Sequence, residues 1–303
     1  MCPKQQIFFR ILCFIFPLFF VMGASLWAKP KKNDQPPKET KPSSSDQESG
    51  LEIQYDYPDQ NELKKMVELG LSGKQQEALV IAVEYHQKHK DHPCGPFALG
   101  LVHEWIIEPQ EPEPYLGPAI EAFEEAGKMD ATRPTKKNVF DAPAGICRGA
   151  SLMRLTRIYY KYGQLITAIQ SGIAGGKELK RVSKYAPKAY DLYTFLGPYL
   201  YFTDRSPAPA RFLMRLFRLK GDRKKGLEQL HLAWKKAPLF RPEAGQLLYV
   251  IGTKHEGQYR QYKHILDELI EEYPNNVIYQ RLYAQSQKKK PYPYPFDLPE
   301  DDD

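Results

Sequence analysis

Gly226, Leu230 and Ala233, carried in the run GDRKKGLEQLHLAWKKAP (residues 221–238), constrain this chain more than any other feature. Steps of four and three place the three residues on one helical face. Two small residues flanking a large one let a neighbouring helix come close. Gly221 opens the run as a turn, and Pro238 ends the helix because proline lacks the N–H that continues it. A helix of this make needs partners along that face.

The same spacing recurs. Leu152, Leu155, Thr156 and Tyr159 have the spacing W-x2-L-G-x2-Y, with Leu for Trp and Thr for Gly, and Gly163 and Ala168 follow as a turn glycine and a small residue. Leu99, Gly100 and His103 occupy the same first-helix slots. Ala119, Phe123 and Ala126 occupy second-helix slots, after an excess of seven residues, Glu108–Pro114 (EPQEPEP). Gly73 and Ala78 repeat the turn-and-small pair near the start. Leu247 and Leu248 lead to Gly257, Tyr262, Leu266, Leu269 and Pro274, stretched by about two residues. The pattern is that of a helix–turn–helix unit of about 34 residues.

These residues resemble the tetratricopeptide repeat. The order of parts is similar to that of exported tetratricopeptide proteins of Gram-negative bacteria, in which an extra helix interrupts one repeat before a Gly-Asp-Arg turn. Here that stretch is Asp191 through Ala233, with Gly221, Asp222 and Arg223 as the turn, and the likeness covers most of Gln60 to Gln287. The resemblance implies an all-α fold, a helical-repeat solenoid that binds an extended peptide or a partner protein in the groove lined by its first helices. Its motifs are structural, so it carries over no catalytic residue. The helix from Gln164 to Tyr185 departs from the pattern, running about seven residues past a standard unit.

Lys4 and Arg10 precede the apolar run Ile11–Ala28, with small residues Gly23, Ala24, Ser25 and Ala28 near its end. This reads as a secretory signal peptide (residues 1–28) and places the chain in the periplasm or cell envelope. An uncleaved anchor in the inner membrane is the competing reading. Residues 29–50 hold Lys, Pro, Ser, Asp and Gln with no large apolar side chain, so a flexible tether is expected. The repeat domain then spans 51–290. The tail 291–303 passes from PYPYPF, with polyproline character, to an acidic tip.

Charge limits the partners. The expected mature chain keeps 41 basic residues against 37 acidic ones: the 43 Lys and Arg of the whole chain less Lys4 and Arg10, with no acid removed. A net +4 on an exported protein points away from nucleic acid. The excess gathers in 205–225, which holds eight basic residues and one acid, Asp222. Arg211, Arg215 and Arg218 share a helical face there and are candidate partner-binding residues. The alternative function is peripheral contact with anionic lipid through that segment.

Tyr193 and Tyr199 are also candidate contact residues, because along one helix they cannot both face as Phe195 does. Cys94 and Cys147, the only cysteines outside the signal segment, fall near the starts of first helices in consecutive units. Such helices bring their N-terminal ends together, and an oxidising compartment permits a disulfide there. His86, His89 and His92 come at steps of three with Cys94 behind, but Pro93 breaks the helix before a fixed tetrahedral set is complete, so no metal is expected. Neither a nucleophile elbow nor a phosphate loop occurs, and no cofactor or catalytic residue is assigned.

Overall fold

Gly73, Gly163 and Gly257 adopt left-handed backbone, with φ of 82°, 73° and 68°, a region open to glycine at no steric cost. Each reverses the chain between two helices. In the structure, a computed structural model, the described residues are 52–107, 115–130, 139–205 and 220–288. They are predominantly helical and belong to one compact unit. The segments 1–51, 108–114, 131–138, 206–219 and 289–303 lie outside them, and with them the signal segment, the tether and the tail.

The helices come in pairs. α1 (Gln60–Leu71) and α2 (Gln75–Lys88) form the first, α3 (Cys94–Ile107) and α4 (Leu116–Lys128) the second. α5 (Ala142–Lys161) and α6 (Leu165–Tyr185) form the third, α7 (Leu192–Arg205) and α8 (Arg223–Lys236) the fourth. α9 (Arg241–Val250), prolonged by a π-helical turn at Ile251–His255, pairs with α10 (Tyr259–Glu272), and α11 (Val277–Lys288) follows alone. The π turn takes up the extra residues of this pair, since each such turn is wider than an α turn.

Packing is serial. Every second helix lies on its own partner and on the first helix of the next pair, and the first helices also touch in the order α1, α3, α5, α7, α9. A short parallel ribbon joins β1 (Glu52–Gln54) to β2 (Val139–Asp141), with Ile53 opposite Phe140. Asp141 then caps α5, its carboxylate accepting the Ala144 N–H at 2.8 Å. Where the first helices converge, Phe97, Phe195 and Phe240 meet with ring centroids 5.2 to 6.2 Å apart.

The run that opened the sequence behaves as its spacing requires. Gly226 is buried, and Leu230 and Ala233 are fully so, and the helix ends at Lys236, two residues before Pro238. α8 crosses α7 glycine to glycine: a methyl group on Gly226 would stand 2.6 Å from the Gly197 carbonyl oxygen and 2.8 Å from the Tyr201 nitrogen. Both obstacles are backbone, which cannot swing aside. Gly226→Ala is therefore expected to lower stability by about 2–3 kcal/mol, read as a reduced urea midpoint; an unchanged midpoint would contradict the close crossing.

Candidate functional site

Turned inward from the first helices is a cluster of buried charge. Glu104 on α3 is 3% exposed. Arg154 and Arg157, three residues apart on one face of α5, both reach it: Arg154 Nη1 lies 2.9 Å from its Oε2, and Arg157 donates to its Oε1. Arg154 also donates to Glu243 on α9 and lies 5.8 Å above the Phe195 ring. Burial raises the Glu104 pKa, but the two guanidinium groups outweigh it and hold the carboxyl below the ordinary value. Three helix pairs are thus tied by two cations and two anions.

Beside this cluster lies a cavity of about 60 Å³, walled by Trp105, Arg154, Arg157, Glu243, Gln246 and Gln75 among others. Space of that size holds a few waters and no peptide. α11 narrows it, because Asn276 at the start of that helix donates from Nδ2 to the Leu71 carbonyl at 2.9 Å, across 205 residues of sequence. Asn276 also accepts the N–H groups of Ile278 and Tyr279 and so caps the helix it begins. The last helix is held against the first pair by the residue that starts it.

A second buried carboxylate organises the junction between the fourth and fifth pairs. Asp191, 2% exposed, precedes α7 and accepts the Leu239 and Phe240 N–H groups at 3.1 and 2.9 Å, just ahead of α9. Burial pushes its pKa from 3.8 up to about 6, against the pull of those two amides. The folded state therefore holds this proton more tightly than the unfolded chain. Its contribution is complete below the unfolded value and is lost as pH rises through 6. On going from pH 7 to pH 5, the wild type is expected to gain on the order of 1 kcal/mol relative to Asp191→Asn. Paired urea titrations at the two pH values read that difference, and a constant gap would rule it out.

The residues singled out in the sequence are dispersed. Tyr193 and Tyr199 are 7% and 8% exposed, which corrects the expectation that they present a contact surface. The Tyr193 hydroxyl donates to the Pro187 carbonyl, and the Tyr199 ring fills the space where Gly176 lacks a side chain. Helix packing has taken both rings. Arg211, Arg215 and Arg218 lie outside the described residues. Cys94 and Cys147, near the starts of α3 and α5, are joined by a disulfide with Cα atoms 5.1 Å apart.

The three histidines each face a different carboxylate: His86 approaches Glu125, His89 Asp59 and His92 Asp141. His86 and His92 clip neighbouring pairs together and His89 closes the first pair on itself, so the three do not converge. Among the described residues no group of His, Cys, Asp and Glu is arranged to hold a metal ion. Among the same residues no helix is long and apolar enough to cross a membrane. Sequence reasoning missed the Glu104–Arg154–Arg157 cluster; the spacing of Arg154 and Arg157 on one helical face was the available signal. The chain matches no family model, no curated protein and no solved structure.

Proposed function

We propose that this chain is a non-enzymatic scaffold of the cell envelope, a tetratricopeptide-like solenoid that holds a protein or peptide partner on its inner face. The observation that carries the reading is the meeting of first helices from successive pairs around one cavity bordered by Trp105 and the Arg154–Arg157 pair. Helix pairs stacked in series bury surface between neighbours and leave one common face for recognition. Aromatic and arginine side chains dominate the energetics of such faces. On this reading α11 sits at the mouth of the groove, so a partner engages its rim or takes its place.

A crosslinked pull-down of the tagged full-length chain from envelope fractions, with mass spectrometry, tests the proposal. One stoichiometric partner is expected, and its capture is expected to fall for Gln246→Trp, which fills the cavity, at an unchanged melting temperature. Recovery of the chain alone, or capture indifferent to that substitution, would count against the inner face.

A further inference from the structure

We infer that the outward stripe of α6 is a docking surface for an anionic lipid bilayer, distinct from the inner face. The helix runs 21 residues, about 30 Å, and packs chiefly on α5 and α7, with Tyr185 at its end against Phe140 of β2. Its buried residues, Ala168, Gly175, Gly176, Glu178, Leu179 and Val182, take one side. On the opposite side, within about 60° of one line at 100° per residue, stand Ile166, Ile169, Ile173, Lys177, Lys180 and Lys184. Ile166 and Ile169 are 58% and 48% exposed, which packing does not explain. Tyr160 and Tyr162 at the end of α5 extend the apolar half and are also exposed.

Charge says what covers this face. From Tyr160 to Tyr185 there are five basic residues and one acid, and that acid, Glu178, is buried and bonded to Arg148. The charge that this stretch exposes is therefore all positive, gathered at Lys161 and over Lys177–Lys184. The basic half continues onto the next pair, where Lys180 Nζ lies 3.3 Å from the Lys220 carbonyl and Lys224 and Lys225 follow in the first turn of α8. By contrast the exposed Val80 and Val83 on α2 are interleaved with Glu77 and Glu84 and show no such bias. Isoleucines to enter the acyl boundary, tyrosines at the headgroup level and lysines for anionic headgroups are the components of an interfacial helix. A second copy is a poor occupant, because antiparallel pairing would set isoleucine against lysine and parallel pairing lysine against lysine. An outward ridge also suits a plane better than it suits an extended peptide.

The test is co-sedimentation of the full chain, and of the same chain begun at Lys29, with vesicles of phosphatidylcholine alone or with phosphatidylglycerol. The shorter form is included because Ile11–Ala28 would hold a chain on vesicles whatever α6 does. Binding of the Lys29 form only to the anionic vesicles, weakening with salt, is expected. Lys177→Gln with Lys184→Gln, and separately Ile166→Ser with Ile169→Ser, are each expected to weaken it on the order of tenfold or more. These side chains are exposed, so the melting temperature should not change. Undiminished binding by both pairs would overturn the inference and move the contact elsewhere in the chain. So would a dimer lost in the isoleucine pair without vesicle binding, or capture of an acidic protein in place of lipid.

Discussion

Glu104→Ala is expected to destabilise the fold by about 3 kcal/mol or more, because it leaves two guanidinium groups without their shared anion. The side chains of Arg154 and Arg157 are only 11% and 16% exposed, so water recovers little of the loss. Arg154 keeps Glu243, whereas Arg157 donated to Glu104 in the cluster, so the damage falls on the join between α3 and α5. Glu104→Gln, which preserves volume, should recover only part of the stability, since the amide cannot replace the charge. Urea denaturation of the two variants checks this, and a loss below about 1 kcal/mol for the alanine would show that the cluster is hydrated. The same pair has a pH signature opposite to that of Asp191: the lowered Glu104 pKa means its contribution is present at neutral pH and fades as the solution is acidified through its folded value.

Breaking the bond between Cys94 and Cys147 is the second large effect. The bond closes a loop with a sequence separation of 53, and the chain-entropy account assigns such a loop about 4 kcal/mol through restriction of the unfolded chain. The link joins the second and third pairs where their first helices begin, next to the His92–Asp141 contact and the Asp141 cap. Dithiothreitol, or Cys94→Ser with Cys147→Ser, should lower the urea midpoint by the corresponding amount while leaving the native helical signal in place. If reductant alters the free-thiol count but not the midpoint, the entropic account fails for this chain.

Local structure was largely legible. Gly73, Gly163 and Gly257 announced reversals because a turn between close-packed helices demands a backbone that glycine alone adopts cheaply, and the spacing of Gly226, Leu230 and Ala233 defined a packing face. The two-residue excess near Leu248 was visible as a length anomaly, and it resolves into the π turn at Ile251–His255. Tyr193 and Tyr199 were misread because periodicity assigns one buried side to a helix, whereas α7 is enclosed on several sides by α6, α8, α9 and α5. The join between Leu71 and Asn276, and the Asp191 cap on the start of α9, depend on where distant segments arrive in space. No local pattern encodes that. The outward isoleucines of α6 were present in the overlong helix, but their exposure needed its neighbours to be placed.

The bond from Asn276 to Leu71 changes the physics of the array. A row of helix pairs with free ends melts by fraying, each outer pair protecting the next, and its amide exchange rises toward the termini. Once the last helix is tied to the first pair the row becomes a loop, and opening either end must break contacts made by both. Amide protection in α1 and α11 should then rise and fall together, and Asn276→Ala should speed exchange in α1, some two hundred residues upstream of the change. Folding carries the corresponding burden: the join can form only after the pairs between have been laid down, so it belongs to the final step.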